Sequence, residues 1–100
     1  TNGAAYAQND LGASLLAQRR TDEAAALCEA SLLTFKQMGD EWGTASALTN
    51  LGLAALSRGD AARATQLCQE SFSLFQKLAL IMIRQLKAEI RYIKNYFFSF

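Results

Sequence analysis

Residues 51–75, LGLAALSRGDAARATQLCQESFSLF, repeat the plan of residues 11–35, LGASLLAQRRTDEAAALCEASLLTF, forty positions earlier. A Leu-Gly pair, an Ala, a Leu-Cys pair, a Ser and a Phe recur at matching places in both stretches. Recurrence at a period of ~20–50 residues is the sequence signature of a repeat protein. Because one such unit cannot bury its apolar face alone, units stack on one another and present an extended surface. The pattern therefore predicts a scaffold for protein interaction.

The composition favours an all-α fold for the 100-residue chain. Hydrophobic residues make up 51% of the chain and the net charge is +1, a balance typical of a folded domain and not of a disordered one. Proline is absent. Long helices can therefore form without interruption from Ala-, Leu- and Gln-rich sequence.

Turn signals divide residues 1–78 into two helical hairpins. In the second hairpin, Gly59 suits the left-handed conformation that often ends a helix, and Asp60 can cap the helix that follows. In the first hairpin, Arg19 stands where Gly59 stands in the second, so a residue with a side chain occupies a position suited to glycine. The predicted hairpins are about 4–38 and 41–78. The first helix is expected at about 4–17 and the third at about 41–57, and the second is expected to follow Thr21 and run to about Met38.

Two further turn signals complete this division. Thr21 is expected to cap the second helix, with Asp22 and Glu23 in its first turn, where acidic side chains interact favourably with the helix dipole. Gly39 and Asp40 are expected to form the turn between the hairpins, Gly39 ending one helix and Asp40 capping the next.

These residues resemble the tetratricopeptide repeat (TPR) family. The family pattern places Leu-Gly in the first helix, a Gly-Asp turn, an Ala early in the second helix, a bulky residue four later and a small one three beyond. The resemblance implies antiparallel hairpins stacked as an α-solenoid that binds a protein or peptide. The matching residues are Leu51-Gly52, Gly59-Asp60, Ala64, Cys68 and Ser71 in the second unit and Leu11-Gly12, Ala24, Cys28 and Ser31 in the first.

The forty-residue period departs from the commoner ~34-residue TPR unit, and the usual proline after the second helix is missing. Both departures indicate the longer-helix variant of the family. Residues 45–52 and 68–75 resemble the repeat arrays of bacterial signal-transduction ATPases and large LuxR-type or maltose-regulator-like transcription activators. That resemblance implies a cytoplasmic signalling context. A structural spacer or self-association segment within such a regulator is the alternative to a partner-binding scaffold.

Small residues indicate where the helices approach one another. Gly12 and Gly52 are expected to let the two helices of each hairpin pack closely. Cys28 and Cys68 are predicted to be free thiols on buried faces. Equivalent positions in stacked helices lie ~8–10 Å apart, beyond the ~7 Å that Cα atoms of a disulfide tolerate, so a disulfide is the less favoured alternative.

In the resembling family, the first helix of each repeat lines the binding groove. Asn50 matches an Asn with which some members hold a peptide backbone or terminal carboxylate. A heat-shock chaperone clamp is not implied, because Asn9 and Ala13 replace the Lys and Asn of that clamp. Alternatively, Leu53 and Leu56 pack against a neighbouring repeat. The implied groove residues are Asn9, Ala13, Leu16, Ser46, Thr49, Asn50, Leu53 and Leu56.

Residues 79–100 abandon the period but keep apolar residues three and four apart, which predicts an amphipathic helix. We expect this helix to cap the open face of the second hairpin. One alternative is membrane-surface attachment through the basic and aromatic side chains of this tail, and another is subunit contact together with Phe72 and Phe75. A third is an unnatural terminus. The tail residues concerned are Ala79, Met82, Ile83, Leu86, Ile90, Arg91, Tyr92, Ile93, Lys94, Tyr96, Phe97, Phe98 and Phe100.

Several functional classes are not expected. The chain has no His, the commonest general base and metal ligand, so neither an enzyme nor a metal or cofactor site is predicted. The basic residues of the tail accompany no helix-turn-helix or zinc motif, and no nucleic-acid binding is expected. Residues 1–10 lack a signal-peptide pattern. The apolar run at 78–83 is far shorter than the ~20 residues of a membrane span.

Overall fold

The computed structural model describes residues 2–98, with side chains from Gly3 onward, and contains four α-helices. Each turn reverses the chain, so the helices form two antiparallel hairpins, α1–α2 and α3–α4, and α3 also packs against α1 and α2. No strand occurs in residues 2–98. The predicted all-α class is confirmed, with four helices where about five were expected. The helices are α1 (Asn2–Ala17), α2 (Thr21–Met38), α3 (Glu41–Ser57) and α4 (Ala61–Phe98).

The three turns have the same backbone geometry at intervals of twenty residues. Arg19, Gly39 and Gly59 have φ angles of 63°, 69° and 79°. In each turn the following N–H donates to the carbonyl five residues back at 2.9 Å, which is the Schellman closure of a helix. The first turn therefore has the same geometry as the other two, and the side chain of Arg19 makes the glycine-like conformation costly by ~1 kcal/mol.

Aspartates cap the helices that follow the two glycine turns. The Asp40 carboxylate accepts a hydrogen bond from the Gly43 backbone N–H at 2.9 Å. The Asp60 carboxylate accepts one from the Arg63 backbone N–H at 3.1 Å. Each bond satisfies one of the N–H groups left without a partner at a helix start, which confirms both predicted caps.

The start of α2 differs from this pattern. Arg20 occupies the N-cap position and makes no side-chain cap bond. The prediction that Thr21 caps α2 is therefore wrong, because Thr21 is already the first helical residue. Asp22 and Glu23 do lie in the first turn as expected, where their negative charge favours the positive end of the helix dipole.

Small side chains bring the helices together within each hairpin. A Cβ atom at Gly12 would lie 2.4 Å from the Sγ of Cys28, and one at Gly52 would lie 2.6 Å from the Sγ of Cys68. Any side chain there would displace the thiol, so the predicted close approach at both glycines is confirmed. The main core cluster includes Ala25, Cys28, Leu48, Leu51, Ala54, Ala55, Ala64 and Leu67.

Helix α4 runs without a break to Phe98, and the prediction of a separate capping helix at 79–100 is wrong. No Gly or Pro occurs between Ala61 and Phe98, so nothing ends the helical hydrogen bonds or turns the chain back. Residues 79–98 are exposed and cover no face of the second hairpin. A 38-residue helix spans ~57 Å, which accounts for the 62 Å length of the molecule. Phe100, part of the predicted aromatic tail, lies outside the described residues.

Candidate functional site

A shallow groove between α1 and α3 contains four of the predicted binding residues. Its volume is about 350 Å³. Ala13 and Leu53 are exposed, and Leu16 is half-buried, so apolar atoms of both helices are accessible there. The groove is lined by Ala13, Leu16, Ala17, Asn50, Leu53 and Ser57.

Asn9 does not line this groove, because it joins the two hairpins. Its side chain is only 1% exposed. Its Nδ2 donates to the Ser46 Oγ at 2.9 Å, and its Oδ1 accepts from the Asn50 Nδ2 at 3.0 Å. A buried amide that finds these partners stabilises the α1–α3 contact. The prediction that Asn9 contacts a partner is therefore wrong, and Ser46 serves as its internal acceptor.

Thr49 faces α4 and lies away from the groove. Its hydroxyl donates to the Ala45 carbonyl at 3.0 Å and lies 2.5 Å from the Ser71 hydroxyl. The Ser71 hydroxyl, which has one proton, lies 2.9 Å from the same carbonyl and donates either to it or to the Thr49 hydroxyl oxygen. These bonds hold α4 against α3 and engage the half-buried Thr49 hydroxyl within the fold. The contact of Thr49 with a partner stays a prediction.

A larger cavity, of about 730 Å³, lies on the outer side of the second hairpin between α3 and α4. We call this surface the open face. Leu56 and Phe72 are 60% and 66% exposed on it. It contains no charged side chain, so it presents mainly apolar atoms to solvent. The open face is lined by Gly52, Leu53, Leu56, Ala61, Ala64, Thr65, Cys68, Gln69, Phe72 and Ser73.

The equivalent surface of the first hairpin, forty residues earlier, is covered by α3. Cys28 is 0% exposed and belongs to one cluster with Leu48 and Leu51 of α3. Its counterpart Cys68 is exposed, so the prediction that Cys68 is buried is wrong. Both cysteines are free thiols. The difference arises because, within residues 2–98, no helix packs on α3–α4 as α3 packs on α1–α2.

Helix α3 covers the first hairpin with small side chains. A Cβ atom at Gly43 would lie 2.2 Å from the ring of Phe35. Ala47 packs on the same buried ring together with Ala5. Gly and Ala at this spacing let α3 approach the aromatic ring closely, and they define the kind of helix that this surface accommodates.

Two titratable groups at helix contacts, Cys28 and Tyr6, have raised pKa values. Burial raises the pKa of the Cys28 thiol. Burial also raises the pKa of Tyr6, and the Asp40 carboxylate, which accepts the Tyr6 hydroxyl at 2.9 Å, raises it further. Each shift follows from a contact between packed helices.

The amino-terminal end of α3 forms a second apolar contact with α4, which the sequence had not indicated. Trp42 packs on Phe75 with ring centroids 5.7 Å apart. Beyond this pair, a cavity of about 470 Å³ lies between Trp42 and the exposed part of α4. Its remaining lining residues are Ala79, Met82, Ile83, Gln85, Leu86 and Glu89.

Residues 2–98 contain neither a metal-binding group of side chains nor a helix that could span a membrane. Residues 2–98 hold no group of three or more His, Cys, Asp or Glu side chains placed to bind a metal ion. None of the four helices between Asn2 and Phe98 combines the length and apolar character that crossing a membrane requires.

Comparison with known proteins agrees with the two-hairpin geometry. Residues 3–85 match the family model described as Tetratricopeptide repeat. Neither the curated proteins nor the solved structures give a significant match. Repeats of this family generally mediate protein–protein interaction. With stacked antiparallel hairpins, glycines at the helix crossings and a family match over most of its length, the chain belongs to the tetratricopeptide repeat family.

Proposed function

We propose that the chain is a protein-binding module whose open face holds a helix of a partner protein. The observation that carries this proposal is the equivalence of the two hairpins. The surface that α3 covers on the first hairpin recurs forty residues later without a cover, which leaves Cys68 and Phe72 exposed. Exposed apolar clusters of this kind are typical of interaction surfaces.

The geometry also limits the chemistry of the partner. On the first hairpin, the covering helix places Gly43 and Ala47 against an aromatic ring. A helix in the equivalent position on the second hairpin would likewise present Gly or Ala four residues apart, facing Phe75, the counterpart of Phe35. Because the lining of the open face is uncharged, its affinity would come from buried apolar area around Leu56 and Phe72.

A peptide probe tests this proposal. We expect a synthetic peptide of residues 41–57, the helix that covers the first hairpin, to perturb amide resonances of the open face in the intact chain. Phe72→Asp should abolish these shifts. Leu33→Asp is the control, because Leu33 lies on α2 and is 59% exposed, similar to Phe72. This variant should leave the shifts unchanged. Shifts that survive Phe72→Asp would count against the open face.

The groove between α1 and α3 is a second candidate, for an extended peptide. The supporting observation is that Ala13, Leu16, Asn50 and Leu53 line one cavity. An extended peptide would contact the apolar side chains, and the Asn50 amide could bond its backbone. Ala13→Arg should block this groove and spare the open face. Phe72→Asp should have the opposite effect.

We also propose a place for the chain in a larger bacterial signalling or transcription regulator, in the cytoplasm. The forty-residue period supports this context. Within such a protein, the chain would act as a binding module, or as a spacer that joins copies through Phe72, Phe75 and the tail. Attachment of the basic, aromatic tail to a membrane surface is a separate proposal, which vesicle binding tests below.

A further inference from the structure

We propose that the exposed end of α4 pairs, parallel and in register, with the same segment of a second copy of this chain as a two-stranded coiled coil. This inference concerns a different surface from the open face. It rests on six apolar residues, which we call the tail stripe: Ala79, Ile83, Leu86, Ile90, Ile93 and Phe97.

The spacing of the tail stripe is that of a coiled-coil seam. Successive members are four, three, four, three and four residues apart, which is the alternation of a and d positions in a heptad. Ile83, Ile90 and Phe97 take the a positions. Ala79, Leu86 and Ile93 take the d positions. Isoleucine at a, with leucine available at d, favours two parallel strands.

The tail stripe has almost no cover within the described chain. From Ile83 to Phe97 its side chains are between 44% and 65% exposed. Only Trp42, at the near end, lies beside its first members. Tertiary packing of an apolar face supplies most of the stability of a protein helix. The segment 79–98, about 30 Å long, lacks that packing until a second helix lies along the stripe.

Charges beside the stripe indicate that the second helix is another copy of this one. Glu89 occupies a g position and Lys94 the following e position, and neither takes part in an ion pair within residues 2–98. In a parallel, in-register pair, Glu89 of one copy faces Lys94 of the other, and symmetry repeats the pair. The segment is thus complementary to itself.

The same charges select the parallel orientation. In an antiparallel pair, e positions face e positions, which would bring Lys87 and Lys94 of one copy towards the lysines of the other. Residues on the outer side of the helix are largely polar, including Arg84 and Arg91. The outer side therefore remains in water while the stripe is buried.

Sedimentation equilibrium of the full chain over a range of concentrations tests the proposal. We expect a monomer–dimer equilibrium that Ile90→Asp weakens by at least ~100-fold, because each copy would bury an unpaired charge at the centre of the interface. Ile81→Asp is the matched control, since Ile81 is also exposed but lies outside the stripe. Circular dichroism of each variant establishes that the helices are retained.

Two further experiments test register and orientation. Glu89→Lys should weaken the dimer roughly tenfold, and adding Lys94→Glu should restore it. Oxidation of Phe97→Cys in a Cys68→Ser background should give a disulfide-linked dimer, because only parallel, in-register helices bring the two a positions within ~7 Å.

Each contrary result overturns the proposal. A monomer at all concentrations does so, as does equal weakening by Ile90→Asp and Ile81→Asp. A monomer that binds vesicles of anionic phospholipid and loses this binding in Ile90→Asp would assign the stripe to a membrane surface instead. Ile90→Asp should leave binding of the 41–57 peptide intact, so failure of the dimer and failure of the open face are separate outcomes.

Discussion

The two hairpins share one sequence pattern but differ in what covers them. Phe35 and Cys28 are fully buried, whereas their counterparts Phe75 and Cys68 are half-buried and exposed. The backbone turns and the glycine contacts are nearly the same in both. The repeat pattern therefore determines how each hairpin forms. The next helix determines whether its outer face is core or surface.

Removing the two equivalent phenylalanine rings should give the largest difference. Phe35 is buried, with its ring centroid 4.7 Å from that of Tyr6, so Phe35→Ala should lower the free energy of unfolding by ~3–5 kcal/mol. Phe75→Ala should cost less than about half of that, because the Phe75 ring already contacts water. Urea unfolding of both variants measures the difference. Equal losses would mean that the Phe75 ring is as enclosed as the Phe35 ring.

The next largest difference is expected in the reaction rates of the two equivalent thiols, Cys28 and Cys68. Cys68 is exposed and should react directly with a disulfide reagent. Cys28 is buried and should react only when the helices around it open locally. An opening free energy of ~3 kcal/mol would slow Cys28 by ~100-fold. Cys28→Ala and Cys68→Ala variants assign the two rates. Similar rates in the native protein would contradict the burial of Cys28.

The pH dependence of Cys28 has a defined sign. Burial raises the pKa of its thiol in the folded state, so the unfolded thiol, at ~8.5, loses its proton first. This contribution to stability is complete below the unfolded pKa and is lost as the pH rises through the folded pKa. In Cys28→Ala, the fall in stability above pH ~8.5 should become shallower, which urea unfolding at a series of pH values measures.

Alanine at the two crossing glycines should have smaller and unequal effects. At Gly12 the new Cβ would meet the enclosed Cys28 thiol and also the Ala24 carbonyl at 3.3 Å, so Gly12→Ala should destabilise by ~1–3 kcal/mol. At Gly52, the exposed Cys68 thiol can rotate away. Gly52→Ala should therefore stay within ~1 kcal/mol of the parent, since better helix propensity offsets the contact.

A double variant provides the control for this pair. Cys28→Ala added to Gly12→Ala should recover part of the loss in thermal unfolding, because it removes the clashing sulfur. If Gly52→Ala proved as costly as Gly12→Ala, the second crossing would be as enclosed as the first.

The smallest effect is expected at the turns. Arg19→Gly should raise the free energy of unfolding by ~1 kcal/mol, because glycine adopts the positive φ without strain. Gly59→Ala should lower it by a similar amount, and nothing lies within 4 Å of the added Cβ to complicate the result. A shift of ~4–8 °C per kcal/mol in Tm makes both changes measurable. No shift in either variant would remove backbone strain as the explanation.

The sequence predicts structural features that depend on adjacent residues, and it does not predict those that depend on a neighbouring helix. The end of α2 at Met38 and the caps at Asp40 and Asp60 follow from the sequence, because turn chemistry depends on adjacent residues. The continuity of α4 was missed, although the absence of Gly and Pro after Ala61 was a readable signal. Asn9 was assigned to a partner, because no local pattern shows that Asn50 and Ser46 satisfy its amide.

By itself, the sequence determined the class of this protein, its helix-turn-helix repeat and the small residues at each crossing, because helical periodicity, turn conformation and residue volume are properties of short segments. Only the tertiary structure decided which equivalent residues are core and which are surface, and that the end of α4 projects without covering the second hairpin. Burial depends on whether another helix occupies the adjacent space. The repeat pattern alone does not show whether that helix is present.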